Sequence, residues 1–265
     1  MLRNWDIEGA NQEMAKVLEP ALPTPQEWQR KSKTTHLPQA GELIAFEICC
    51  GHGGLTKALR EVGFDALGVD FKGNKHKTCV PVLTADLTTE RGREYVRSLF
   101  RKYKIAYVHM APPCGTCSRA REKPIPQHLI DQGAPNPQPL RSDEHPEGLP
   151  GLGWVDQVKV NKANAIADFC TEISHLCISL QVGFSIENPT NSILWLLPRM
   201  KDLANTHKVF SVPFQNCMWG SKRNKWTSVL TNVPQFCTLK RECDGSHDHL
   251  SWTVRWNKGW SFPMA

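Results

Sequence analysis

The fold is decided first by residues 43–54, which read LIAFEICCGHGG. The apolar run 43–48 leads to the glycine turn 51–54, and an amphipathic segment follows from Leu55. A short apolar run, a glycine turn and then helical spacing of apolar residues are typical of a strand, a tight turn and a helix. We expect that helix to end at Gly63. This stretch therefore predicts the first strand–helix unit of a sheet-based domain.

Apolar runs and helical spacing alternate along the rest of the chain. Further strands are predicted at 66–70, 80–83, 105–110 and 184–187, and further helices after Thr89 and over 166–180. Four or more such alternations predict an α/β fold with a mostly parallel sheet and right-handed crossovers. Residues 111–153 hold nine prolines, too many for regular structure, and a loop of this length is seldom an idle connection.

These changes in sequence pattern divide the chain into three predicted segments. They are an N-terminal arm at 1–40, a main domain at 41–235 and a small C-terminal lobe at 236–265. Hydrophobic residues make up 40% and charged residues 22% of the chain, which excludes wholesale disorder. No apolar run approaches the roughly 20 residues of a membrane-spanning helix, and the first residues show no secretory pattern. We therefore expect a soluble, intracellular protein with no membrane partner.

Charge and cysteine content narrow the chemistry further. The net charge of +6 is compatible with a polyanionic partner. In an intracellular protein the ten cysteines predict reduced thiols, metal ligands or a nucleophile rather than disulfides. Nothing in these numbers points to a protein partner.

Chemically active residues stand at the ends of several predicted strands. The glycine turn follows the first strand, and Asp70, Asp86, Cys114 and Glu187 follow or end later ones. Each alone is a weak signal, because an acid at a strand end often only caps the next helix. In open α/β sheets, however, ligands bind at the carboxyl edge of the strands. Together these residues predict one crevice.

The glycine turn admits two interpretations. A dinucleotide fingerprint reads G-x-G-x-x-G with an acid about 20 residues later. Asp70 lies 19 residues after Gly51 and could bind ribose hydroxyls, but Thr56 occupies the place of the third glycine. The turn therefore favours an adenosine-containing cofactor without requiring a pyrophosphate. The departure at Thr56 disfavours a dinucleotide-dependent oxidoreductase.

Cys114 follows two prolines, whose fixed φ angles would hold a thiol stiffly at a strand end. It could be a nucleophile, an inert buried thiol, or one half of a redox or metal-binding pair with Cys117. Glu187 ends a Phe-Ser-Ile strand and is expected to be buried on one side, which suits a proton donor. A thiol beside a carboxylic acid near an adenosine cofactor points to alkylation of a heteroaromatic ring.

The order of these motifs resembles that of the DNA cytosine-C5 methyltransferases, especially small variants of eukaryotic algae and their mobile elements. The resemblance covers about residues 43–235 and is most specific in Pro112-Pro113-Cys114 and in Glu187-Asn188. It implies a Rossmann-like S-adenosylmethionine-dependent methyltransferase fold and action on DNA, with a nuclear location in a eukaryote. Methylation of RNA cytosine, or a catalytically idle protein that binds nucleic acid or cofactor, are the alternatives.

The resemblance also implies roles for individual residues. Cys114 would attack C6 of a flipped cytosine, Glu187 would protonate N3, and Arg223 is the best match to a later catalytic arginine. Arg119 and Arg121 would hold phosphate or base, or else belong to a solvated basic loop. The cofactor would be bound by Phe46, Gly51, Gly53, Gly54, Leu55, Asp70, Phe71, Asp86, Leu87 and Pro112. The substrate would be bound by Pro113, Ser118, Arg119, Arg121 and Asn188.

A separate cluster lies near the C-terminus. Cys237, Cys243, His247 and His249 fall within 13 residues. Two cysteines and two histidines suit tetrahedral zinc, although their spacing is not that of a common zinc finger. The alternative is two surface histidines and two core thiols. The cluster predicts structural zinc in the C-terminal lobe.

Overall fold

A computed structural model describes residues 41–74 and 77–250, together with the backbone of the short strands Val254–Trp256 and Gly259–Ser261. The predicted N-terminal arm at 1–40 and the end of the predicted C-terminal lobe lie outside the described residues. Within the described part of the chain, no helix is long and apolar enough to cross a membrane.

The centre of the molecule is a seven-stranded mixed sheet. Its strands run in the order β3-β2-β1-β4-β5-β7-β6. The first five in this order are parallel, whereas β7 is antiparallel to both of its neighbours. The strands are β1 (Leu43–Ile48), β2 (Ala66–Asp70), β3 (Val82–Thr84), β4 (Lys104–Met110), β5 (Gly183–Pro189), β6 (Phe210–Gln215) and β7 (Trp226–Thr231). The predicted α/β class with a mostly parallel sheet is confirmed.

In the part of the chain that the structure describes, five α-helices lie between the strands. They are α1 (Gly54–Glu61), α2 (Glu90–Lys102), α3 (Gln127–Asp131), α4 (Trp154–Ser179) and α5 (Pro198–Ala204). Thr89 caps α2 as predicted, because its Oγ1 accepts a hydrogen bond from the Gly92 N–H at 3.1 Å. Helix α4 begins well before the predicted apolar stripe at 166–180. Trp154 and Val155 in its first turn are exposed, and Val160 is its first buried residue, so the apolar spacing there is too sparse to predict a helix.

Strands β6 and β7 are absent from the sequence prediction. Pro213 lies inside β6, and proline argues against a central strand. The structure resolves this conflict by placing β6 at the edge of the sheet, next to β7 alone. The β6–β7 pair is antiparallel, so no crossover helix marks it in the sequence.

The core lies on both faces of the central strands. Phe46 and Val108 are fully buried, and the Phe46 ring stacks on Phe100 of α2 with centroids 6.0 Å apart. Leu87 belongs to the same apolar cluster. Phe46 and Leu87 were predicted to bind the cofactor; both side chains are buried, and their contact with a cofactor stays a prediction.

The strand order reverses between β1 and β4. Strand β1 pairs with β2 on one side and with β4 on the other, and all three are parallel. The loops that leave β1 and β4 therefore diverge to opposite sides and open a crevice at the carboxyl edge of the sheet. This is the edge at which the predicted functional residues follow their strands.

Candidate active site

The glycine turn after β1 has a left-handed backbone and is hydrogen-bonded to the end of β2. Cys49, Gly51 and Gly53 all have left-handed φ angles, of 58°, 53° and 78°. A Cβ on Gly53 would lie 2.8 Å from Val80 Cγ2, so glycine is required there. The Asp70 carboxylate accepts the Gly51 N–H at 2.6 Å, which fixes the turn against β2.

Asp70 lies at the crevice, and its carboxylate can accept further hydrogen bonds. Besides the Gly51 contact, it accepts the Phe71 N–H at 2.7 Å and the Asn74 Nδ2 at 3.3 Å. Asn74 Nδ2 also donates to the Gly51 carbonyl at 2.5 Å. A carboxylate has about four lone-pair sites. Asp70 can therefore both organise the turn and accept hydroxyl hydrogen bonds from a ligand.

Glu47 lies beneath the turn and was missed by sequence reasoning. Its Oε2 accepts the N–H and the hydroxyl of Thr56, at 2.6 Å and 2.5 Å. Burial raises the pKa of Glu47, and the two hydrogen bonds from Thr56 act in the opposite direction. Gly53 offers no side chain to cap α1, so this carboxylate from β1 satisfies its first turn. An acid inside an otherwise apolar strand was the available signal.

Asp86 is exposed just beyond β3. Its Oδ1 accepts the Thr88 hydroxyl at 2.6 Å and the Thr88 N–H at 3.0 Å. The hydroxyl contact is the main cause that lowers the pKa of Asp86, so this carboxyl is ionised near neutral pH. A cavity of about 390 Å³ lies beside it, between the end of β3 and the start of α2.

These groups fit a nucleoside-containing cofactor. Asp70 and Asp86 put two acceptors at the ends of the adjacent strands β2 and β3. A Cβ added to Gly54 would meet no atom within 4 Å, so the turn faces open space. Leu55 is partly buried beside it, and Phe71 is 52% exposed. The donor and acceptor set therefore suits ribose hydroxyls and a base amino group.

Cys114 is held in a loop that is anchored to β5. Asn188, 1% exposed, donates its Nδ2 to the Pro112 carbonyl at 2.9 Å. The Cys117 N–H donates to the Cys114 carbonyl at 2.9 Å, and the Cys117 carbonyl accepts the Ile193 N–H at 2.9 Å. Asn188 was predicted to bind substrate; its amide holds the loop that carries Cys114, and its contact with substrate stays a prediction. Cys117 is buried in the core.

Glu187 forms an ion pair with Lys225 beside Cys114. Lys225 Nζ lies 3.4 Å from Glu187 Oε1, and the two side chains are 22% and 27% exposed. Burial raises the pKa of Cys114, Lys225 lowers it and Glu187 raises it. Thiol, carboxylate and ammonium therefore act on one another electrostatically at the edge where β4 and β5 end.

The cation against Glu187 is Lys225, whereas the sequence resemblance points to Arg223. Strands β5 and β7 are antiparallel with Pro189 opposite Thr227. Because alternate residues share a face, Lys225 continues the face that carries Glu187 and Pro189. Arg223 lies earlier, in the turn where its N–H bonds to Ser221 Oγ at 3.2 Å. Its catalytic role stays a prediction.

The predicted substrate arginines brace the long loop. Arg121 donates to the carbonyls of Gly115 and Gln138, at 2.6 Å and 2.9 Å. Arg119 forms ion pairs with Glu122 and Asp143. Ser118 Oγ accepts the Ala120 N–H at 3.2 Å, and Pro113 is exposed beside Cys114. Contacts of these residues with substrate stay a prediction.

Arg141 is a buried guanidinium that sequence reasoning missed. It is 2% exposed and donates to Thr116 Oγ1, the Pro146 carbonyl and Asn164 Oδ1, at 3.1, 2.5 and 2.8 Å. Burial lowers its pKa. These bonds join the segment after Cys114 to α4. An arginine between prolines gave no local signal of burial.

The Cys/His cluster has a different membership from the predicted one. The structure brings together Cys217, Cys243, His247 and His249, with all four ligand atoms within 4.8 Å of one another. Cys237 lies outside this group, on the separate 3₁₀ turn Pro234–Leu239. Cys217 takes its place because the turn after β6 packs against the segment around Cys243. The predicted ligand Cys237 is therefore corrected to Cys217.

Comparison of the sequence with protein-family models and with curated proteins finds no match.

Proposed function

We propose that this chain is an S-adenosylmethionine-dependent methyltransferase that methylates C5 of cytosine in DNA. The observation that carries the proposal is the grouping of Cys114 with the Glu187–Lys225 pair at the sheet edge that also holds the glycine turn. A thiol, a carboxyl group and a cation around one position supply the three functions that addition to cytosine requires. The order of the sequence motifs supports the same assignment.

The cofactor half of the crevice is assigned to β1, β2 and β3. S-adenosylmethionine, when bound, supplies an electrophilic methyl group. In this proposal the turn 51–54 lies along the cofactor, Asp70 accepts its ribose hydroxyls and Asp86 accepts its adenine amino group. The cavity of about 390 Å³ beside Asp86 has room for a nucleobase.

The substrate half performs a covalent addition and elimination. The Cys114 thiolate adds to C6 of cytosine, the C5=C6 double bond opens, and electron density moves to C5. Glu187 passes to N3, where negative charge develops, the proton that the Cys114 thiol gives up, and C5 takes the methyl group. Loss of the C5 proton to water reforms the double bond and expels the thiolate, and the N3 proton returns to the thiolate by way of Glu187. Atoms and charge balance, because a methyl cation from the cofactor replaces the C5 proton.

Lys225 and burial set the state of the nucleophile. Because burial raises the pKa of Cys114, the resting group is a thiol near neutral pH. The positive charge of Lys225 favours the thiolate and opposes the effect of Glu187. The half-buried thiol also requires the target base to leave its stack, since atoms C5 and C6 inside a duplex cannot reach it.

The test is covalent trapping on DNA that contains 5-fluorocytosine. Fluorine at C5 cannot leave as a proton does, so the adduct should survive denaturation when S-adenosylmethionine is present. We expect attachment with the wild type and with Cys117→Ser, the matched control, and none with Cys114→Ser. Glu187→Gln should slow attachment by about tenfold or more, since an amide donates no proton to N3.

Three outcomes would contradict the proposal. Attachment of 5-fluorocytosine RNA but not DNA would transfer the chemistry to RNA. Binding of either nucleic acid without attachment would leave a protein that binds but does not methylate. Equal attachment of wild type and Cys114→Ser would remove Cys114 as the nucleophile.

A further inference from the structure

Three ligand atoms of the Cys/His cluster are spaced as tetrahedral zinc requires. Cys243 Sγ lies 3.6 Å from His249 Nε2 and 3.8 Å from His247 Nε2, and the two imidazole nitrogens are 3.2 Å apart. Bond lengths of about 2.3 Å to sulfur and 2.0–2.1 Å to nitrogen place tetrahedral ligands about 3.6 Å apart for S···N and 3.3 Å for N···N. Cys217 Sγ lies within 4.8 Å of the other three ligand atoms and supplies a fourth ligand to the same position.

Contacts outside the cluster hold the turn that contains Cys217 against the segment that contains Cys243, His247 and His249. Gln215 Oε1 accepts the Cys243 N–H at 2.5 Å, and the Gln215 N–H donates to the Arg241 carbonyl at 3.0 Å. The Arg241 guanidinium lies 4.6 Å from the centroid of the Trp219 ring. Further along, the Leu250 N–H donates to the Lys222 carbonyl at 2.8 Å. The ligand set is thus preorganised by the fold around it.

The same turn leads directly to the candidate active site. Cys217 belongs to the 3₁₀ turn Asn216–Trp219. The Asn216 N–H donates to the Lys225 carbonyl at 2.9 Å, and Gln215 Nε2 donates to Asn224 Oδ1 at 2.5 Å. Lys225 in turn pairs with Glu187. A ligand bond at Cys217 would therefore restrain the turn that presents Lys225.

We infer that Cys217, Cys243, His247 and His249 bind one structural zinc ion, and that this ion positions Lys225 against Glu187. Four protein ligands leave no open coordination position, so the ion performs no chemistry itself. Lys225 is the catalytic-site group, and the four ligands act through it as positioning residues. The positioning effect rests on the proposed function, whereas zinc binding stands without it.

The first experiment measures metal on the purified full-length chain. After zinc is supplied and excess is removed, elemental analysis should find about one zinc per chain in the wild type and in Cys237→Ser. Cys217→Ser should lower zinc content by about tenfold or more. Because Cys217→Ser could fail to fold, cobalt is also titrated into the wild type. Two thiolates should give a sulfur-to-metal charge-transfer band together with the visible bands of tetrahedral cobalt.

The second experiment measures positioning. The rate at which iodoacetamide alkylates Cys114 is followed by mass spectrometry of its peptide, with and without bound zinc. Zinc removal should slow alkylation several-fold at fixed pH, in the same direction as Lys225→Gln, because a displaced ammonium no longer favours the thiolate.

The outcomes distinguish zinc binding, the positioning of Lys225 and the proposed methyltransferase activity from one another. Zinc retained by Cys217→Ser and lost by Cys237→Ser, or a wild type that binds neither zinc nor cobalt, overturns the site. Bound zinc whose removal leaves Cys114 alkylation unchanged overturns the positioning role. Bound zinc that controls Cys114 alkylation in a protein that never attaches to 5-fluorocytosine supports the inference and contradicts the proposed methyltransferase activity.

Discussion

At the scale of single residues, the reactivity of Cys114 results from three opposing influences. Burial raises its pKa most, Glu187 raises it further, and Lys225 lowers it. The Cys114 thiol is therefore less readily ionised, and so less reactive, than a free cysteine thiol. The balance shifts when either charged neighbour is removed.

We expect Lys225→Gln and Glu187→Gln to change Cys114 alkylation in opposite directions. Loss of the ammonium should move the pH profile of alkylation to higher pH, and loss of the carboxylate should move it to lower pH, each changing the rate several-fold at fixed pH. The measurement is alkylation of the Cys114 peptide across a pH series.

The matched control is Lys222→Gln, which removes an exposed lysine from the same turn. Its profile should coincide with that of the wild type. A shift of Lys225→Gln and Glu187→Gln in the same direction would contradict the electrostatic account and indicate a general change in burial.

At the scale of elements, the long segment 111–153 is held mainly by side chains. It contains the short helix α3 and the 3₁₀ turn Arg119–Glu122, so the prediction that its prolines exclude regular structure is wrong for these two pieces. Arg141 donates to Thr116 and to Asn164 of α4, and Asn188 bonds the first residues of the segment to β5. Because proline removes backbone donors, side-chain donors replace much of the backbone hydrogen bonding here. The position of Cys114 thus depends on bonds made far from it in sequence.

Arg141→Met should destabilise the protein by about 2–4 kcal/mol. Methionine fills similar space but leaves Thr116 Oγ1, Asn164 Oδ1 and a backbone carbonyl without their donor, and buried unsatisfied acceptors are costly. Urea unfolding measures the change in the free energy of unfolding.

Arg101→Met is the control for losing an arginine on the surface. Arg101 is 65% exposed and pairs with Glu94 on α2, and such pairs contribute little, so a change within about 0.5 kcal/mol is expected. Equal losses in the two variants would show that Arg141 is no more important than a surface cation.

At the scale of the whole molecule, one face of the central sheet carries three hydrogen-bonded polar side chains. His109 of β4 lies 2.7 Å from Ser185 Oγ of β5, measured from Nδ1, and Ser185 Oγ is also 2.5 Å from the Tyr107 hydroxyl. Glu47 pairs with His109 in the β1–β4 register. Burial lowers the pKa of His109 to about 4. His109 is therefore neutral in the folded protein at pH values well above 4.

The depressed pKa predicts a loss of stability in mild acid. Below about pH 6.5 the unfolded chain binds a proton at His109 that the folded chain binds only near pH 4, so stability falls as the pH falls between these values. We expect the stability difference between wild type and His109→Gln to shift by about 2 kcal/mol between pH 7 and pH 4.5, in favour of the variant at low pH.

Comparing the variant with the wild type at each pH subtracts other groups, including Glu47, whose raised pKa acts in the opposite sense. His207→Gln, at an exposed position, is the control and should show no such shift. Parallel pH curves for wild type and His109→Gln would mean that His109 takes up its proton equally readily in the folded and unfolded chain.

The sequence by itself determined the parts of this protein that depend on local patterns. Apolar runs and helical spacing predicted β1, β2, β4 and β5, helices α1 and α2 and the second part of α4, because the strand and helix periods are local features of the sequence. They did not predict α3. Parallel strands then bring their carboxyl ends to one edge. That rule placed the glycine turn, Asp70, Asp86, Cys114 and Glu187 around one crevice without any tertiary information.

Only the tertiary structure decided which distant groups meet. Lys225 reaches Glu187 through the antiparallel register of β5 and β7, and Cys217 replaces Cys237 because Gln215 bonds to the backbone of Arg241 and Cys243. The ring that stacks on Phe46 is likewise distant in sequence, since Phe100 lies on α2. Strand register and loop packing are set by contacts between segments far apart in sequence, and no local pattern encodes them.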